Sequence, residues 1–137
     1  MLSIPTHNRR TTALRVIPLV TCSLGIIYFG TRRSLTFPGD EILSHDKLMH
    51  AMAFGLLSVL AYRCLRYCCL RATSLRAAIL AVSYASVLGV VLELIQATLP
   101  YRSMEFADFV ADAIGASLCV VVAATSRLER ELTCWRL

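Results

Sequence analysis

Four apolar runs, each close to the length a helix needs to cross a bilayer, constrain this chain more than any other feature. They cover residues 13–30, 47–63, 77–99 and 105–125. A spanning helix takes about 20 residues, within a range of about 17–25. The third and fourth runs meet that comfortably. The first and second are short, and borrow flanking residues or thin the bilayer locally. Hydrocarbon leaves only helices and closed barrels with a satisfied backbone, and no period-two alternation suggests strands. The expected fold is all-α: an integral membrane bundle of four transmembrane helices, in one domain spanning residues 1–137.

Composition agrees. Hydrophobic residues make up 57% of the chain and charged residues 17%, with a mean hydropathy of +0.65. Soluble domains run at about 45–50% apolar and about 25% charged. The net charge of +5 comes from arginine, with Lys47 the sole lysine. The arginines flank apolar runs and no run is both basic and aromatic, so lipid rather than nucleic acid is the expected partner. Of the six cysteines, Cys22 and Cys119 sit inside apolar runs as small hydrophobes. Cys64, Cys68 and Cys69 lie among arginines with no histidine nearby to complete a metal set. Structural cysteines are therefore expected, with no metal and no cofactor. No small-residue cleavage site follows the first run, which ends Phe29-Gly30-Thr31-Arg32-Arg33, so the first helix is expected to stay.

Positive residues set the orientation. Arg9, Arg10, Arg15, Arg63, Arg66, Arg71, Arg76, Arg127, Arg130 and Arg136 would share one side of a four-helix protein, against Arg32, Arg33, Lys47 and Arg102 on the other. Both termini are thus expected in the cytoplasm, with the first and third loops outside. The first loop carries the turn signal Pro38-Gly39-Asp40. In the third, Pro100 ends the third helix and Ser103 can cap the fourth, with Glu105 in its first turn.

Ionisable residues at membrane depth are costly and tend to mark function. Here they gather at three helix ends, all on the predicted outer side. Asp46, Lys47 and His50 open the second helix. Glu93 and Gln96 close the third, and Arg102 lies in the tight loop. Glu105, Asp108 and Asp112 open the fourth. Asp46 and His50 are spaced i,i+4 on one face. Asp108, Asp112, Gly115 and Cys119 share a face of the fourth helix, where small residues allow close packing. Lys47, His50 and Arg102 are the available cationic partners for the acids.

These residues carry a resemblance. Asp46-Lys47-Leu48-Met49-His50 resembles the Asp-Lys-x-x-His segment of VanZ-like proteins. Glu93-Leu94-Ile95-Gln96 followed by Pro100-Tyr101-Arg102 resembles that family's Glu-x-x-Gln and Pro-x-Arg turn. Asp108 with Asp112-Ala113-Ile114-Gly115-Ala116 is similar to its Asp-x-x-x-Asn-x-x-Gly-Ala block. Asp112 stands where the family usually has asparagine, and Cys119 near a frequent glycine. The resemblance implies a multi-pass protein of a bacterial inner membrane, in a family named for a protein associated with teicoplanin resistance, and implies no particular chemistry.

Three readings follow for Asp46, Lys47, His50, Glu93, Gln96, Arg102, Asp108 and Asp112. They form a salt-bridged latch between helix ends. Or they bind an envelope lipid, glycan precursor or glycopeptide, with Arg102 and Lys47 on an anion and the acids and Gln96 accepting from hydroxyl or amide groups. Or they serve a membrane-embedded hydrolase or transferase, with Asp46 and His50 as base and orienter, or with Glu93 and the helix-four acids on a divalent metal. No Gly-x-Ser-x-Gly, His-Glu-x-x-His or phosphate-cradling loop supports an enzyme. A small assembly subunit of a membrane complex is a further alternative.

Overall fold

The computed structural model describes residues 9–32, 43–68, 73–102 and 104–125, with side chains from residues 12–32, 47–67, 73–102 and 104–125. The element order is α1 (Arg9–Gly30), α2 (Leu43–Cys68), α3 (Ser74–Gln96) and α4 (Phe106–Thr125). All four are long and apolar enough to cross a membrane, over Thr12–Gly30, Lys47–Tyr67, Ser74–Gln96 and Phe106–Thr125. The described residues hold no strand. The bundle is all-helical, as the apolar runs required.

Helix ends depart from the hydropathy pattern where polar residues continue a turn. α2 extends past both ends of its apolar run, because lipid selects the apolar stretch while backbone hydrogen bonding alone sets how far a helix goes on. α3 begins at Ser74, where the Thr73 hydroxyl accepts from the Arg76 N–H at 3.2 Å. It ends at Gln96, before Pro100. Ser103, the expected cap of α4, lies outside the described residues, as do the Pro38-Gly39-Asp40 turn and the side chains of Asp46, Cys68 and Cys69.

α2 and α4 share the most extensive interface, and α3 packs against both. Small residues make this approach feasible. A β-carbon on Gly115 would stand 2.6 Å from Ala51 Cα, and one on Gly55 would meet Cys119 Sγ at 2.6 Å. Ser58, fully buried, donates to Gly55 O at 2.7 Å and to Ala116 O at 3.0 Å. Its hydroxyl therefore ties the two helices without leaving a polar atom in hydrocarbon. Two apolar clusters fill the interior: Phe54, Leu57, Ala85, Leu92 and Ala116, then Ala61, Tyr62, Ala77, Ala81 and Val120. Large apolar side chains such as Leu14, Phe29, Ile79, Leu94 and Phe106 point outward. That exposure would be an aggregation hazard in water and is the normal surface of a protein in lipid.

α1 is the peripheral helix. It packs on α2 and more lightly on α3. The Ser23 hydroxyl pairs with the Tyr84 hydroxyl at 2.9 Å, and Gly30 lies against Leu92.

Chain direction places the end of α1, the start of α2, the end of α3 and the start of α4 at the same end of the bundle. The opposite end carries Arg63, Arg66 and Arg76, the Arg15 guanidinium 4.1 Å over the Tyr67 ring, and the Tyr62–Ser74 hydroxyl pair at 2.7 Å.

Candidate functional site

Lys47, at the start of the second span, reaches across to α4. Its ammonium meets Glu105 Oε2 at 3.0 Å and Asp108 Oδ1 at 3.1 Å. Asp108 is buried and stands in the first turn of α4, where the helix dipole favours an anion. Glu105 is at the rim, with its side chain 44% exposed. The upper tier is thus one ammonium between two carboxylates, one of them shielded from the surface.

One turn deeper, His50 Nδ1 lies 3.0 Å from Asp112 Oδ1. The imidazole also stacks on Phe54, i,i+4 along α2, with rings 6.3 Å apart and 7° from parallel. Asp112 is 1% exposed. Its second oxygen, Oδ2, has no hydrogen-bond partner and lies beside Gly89, where a β-carbon would stand 2.9 Å from it. Gly89 therefore gives this carboxylate the space it occupies.

α3 contributes Glu93, one turn above Gly89 on the same face. Its Oε2 accepts the Glu105 N–H at 3.0 Å, one of the donors that a helix start leaves without an intrahelical partner. Its Oε1 is buried and without a partner. α2, α3 and α4 thus bring Lys47, His50, Glu93, Asp108 and Asp112 together, with Glu105 beside them at the rim.

Gln96 and Arg102 go elsewhere. Gln96 Nε2 donates to Gly30 O at 2.8 Å. The Tyr101 hydroxyl donates to Thr31 O at 3.2 Å. Arg102 Nε and Nη2 donate to Arg32 O at 3.3 and 3.2 Å. Three side chains from the end of α3 and its turn take the carbonyl of Gly30, which the end of α1 leaves without an intrahelical partner, and the two carbonyls that follow it. The Arg102 guanidinium, expected among the acids or on a ligand anion, is a clamp on α1 instead. Asp46 was expected to share a face with His50. Its side chain lies outside the described residues, and the acid found on His50 Nδ1 is Asp112.

Sequence reasoning did not foresee the Phe54 platform, though its i,i+4 spacing from His50 carries that signal, nor the role of Tyr101. Among the described residues, no group of three or more His, Cys, Asp or Glu side chains is arranged to hold a metal ion.

Four apolar helices around a charged layer at one end of the bundle define a multi-pass helical membrane protein. The VanZ/LLP1 family model matches residues 3–127, and the chain belongs to that family. No curated protein and no solved structure matches it.

Proposed function

We propose that this is a protein of the bacterial cell envelope, in the inner membrane with both termini in the cytoplasm. Its polar layer faces outward and receives the headgroup of an envelope lipid, glycan precursor or glycopeptide, a role akin to the teicoplanin-resistance protein for which the family is named. The observation that carries this reading is the pair of buried, unpartnered acceptors, Glu93 Oε1 and Asp112 Oδ2. A layer that served only to hold helix ends together would pair them, because an unsatisfied buried polar group costs about 1–3 kcal/mol, and more when charged. A ligand's donors can satisfy them.

The same geometry narrows the recognised group. Lys47 is engaged by two carboxylates and Arg102 by a backbone carbonyl. The Lys47 charge is therefore met by the acids and Arg102 is directed at the end of α1, so what the layer itself offers is acceptors. Hydroxyl, amide or amine groups suit it better than an anion.

Carrying the protein from the membrane into polymer-bounded nanodiscs, followed by mass spectrometry of the retained lipid, tests this. The expected result is enrichment of a donor-bearing amphiphile over bulk membrane, lost in Glu93→Gln. Retained lipid of bulk composition in both proteins would leave the layer as a salt-bridged clamp and overturn the reading.

A further inference from the structure

We propose that the group taken by this layer is a primary ammonium, carried on an amphiphile and received at Glu93 Oε1 and Asp112 Oδ2 in the seam of α2, α3 and α4. The inference rests on the reading of the layer as a headgroup site and names the chemistry it selects.

Charge is the first argument. Four carboxyl groups, Glu93, Glu105, Asp108 and Asp112, face one ammonium, Lys47, and one imidazole, His50. With every carboxyl ionised, the set is short of positive charge whether or not His50 carries a proton. A surplus of like charge in a low-dielectric seam has to be met by a cation or by protons. Arg102, the nearest further cation along the chain, is turned to the end of α1.

The second argument is a precedent inside the layer. The upper tier already holds an ammonium, and its geometry shows what these acids accept: Lys47 Nζ sits 3.0 and 3.1 Å from two carboxylate oxygens on α4. Below Lys47 the seam presents two more carboxyl oxygens, Asp112 Oδ2 on α4 beside Gly89 and Glu93 Oε1 one turn above it on α3, with no ammonium supplied to them by the described residues. Glu93 and Asp112 are 2% and 1% exposed, so an ion pair formed there would be screened far less than one at the surface. With both carboxyl groups ionised, a sugar hydroxyl would satisfy the hydrogen bonds and leave the charge unbalanced. An ammonium does both, with three donors to distribute. Lys47 and Glu105 are the partly exposed members, and the entering group passes them.

The probes that decide this are three nitroxide-labelled lipids with one acyl chain, ending in a primary amine, an alcohol or a β-glucoside. Each is reconstituted with the protein in nanodiscs, and the immobilised fraction is read by electron paramagnetic resonance. The amine should be immobilised about tenfold more strongly than the alcohol, as a charge-assisted contact requires. Glu93→Gln and Asp112→Asn should each abolish that excess. Both variants keep side-chain shape, and helicity by circular dichroism identifies whichever is folded. Glucoside immobilised as strongly as amine, with the same dependence on Glu93, would overturn the ammonium assignment and leave the headgroup reading standing. Amine excess retained in both folded variants would also overturn it, because the amine would then bind elsewhere. No excess for any probe would remove both.

Discussion

Gly115→Ala is expected to be the most damaging single methyl that can be added to this protein. The new β-carbon would stand 2.6 Å from Ala51 Cα and 2.6 Å from its carbonyl carbon, so it meets backbone rather than a movable side chain. α2 and α4 would have to separate along their whole contact. In hydrocarbon, helix association depends on van der Waals contact and interhelical hydrogen bonds, with no hydrophobic force to restore it. The Ser58 bond to Ala116 O, at 3.0 Å, lies one residue from the strain and would lengthen or break. Overpacking of this kind costs about 3 kcal/mol, and the protein extracted from membranes should show a correspondingly lower unfolding midpoint in a denaturing detergent titration. Gly25→Ala is the internal control. A β-carbon there has no atom within 4 Å, so its midpoint should equal the parent's or exceed it slightly. Equal midpoints for the two variants would mean that α2 and α4 do not approach at Gly115.

The second large effect concerns the deeper tier. His50→Ala removes the hydrogen-bond partner of Asp112 Oδ1 and leaves a carboxyl group that is 1% exposed without it. A buried carboxyl group that loses its hydrogen-bond partner costs about 1–3 kcal/mol, most of it the burden of the group left behind. Adding Asp112→Ala should therefore recover part of the loss. The double-mutant cycle should give an interaction energy of about 1–3 kcal/mol. Additive losses across the cycle would deny the contact. Because Phe54 stacks on the imidazole, His50→Phe should lose less than His50→Ala, which separates the packing of the ring from its hydrogen bond.

The spans were legible in the sequence because the bilayer imposes their length: a residue such as Leu88 or Val120 reads as apolar whatever it touches. The gathering of charged residues at one end was legible too, since an antiparallel chain must return Lys47, Glu93 and Asp108 to the same side. What the linear pattern could not carry is direction across helices. Arg102 reads as a free cation near acids, and the acceptors it uses are backbone carbonyls, which no residue letter encodes. Gln96 is the same case: its motif marks a polar position, and its partner is the carbonyl of Gly30, 66 residues away. Asp46 and His50 pair on a helical wheel because spacing within one helix is visible, whereas the His50–Asp112 contact joins two helices. Gly115 reads as a small residue, and only the bundle identifies the backbone at Ala51 as the reason for it.

Charge exchange between Lys47 and Asp108 is the most direct measurement of whether side chains from separate helices meet in one tier. Lys47→Asp places three acids together, and Asp108→Lys places two ammonium groups against Glu105, so each single variant should fail to accumulate as folded protein. The double variant restores the pair with its polarity reversed across the α2–α4 seam, and folded protein should return to a large share of the parent level. If the double variant accumulates no better than the worse of the two singles, Lys47 and Asp108 do not face each other, and the layer on which the functional account stands is absent.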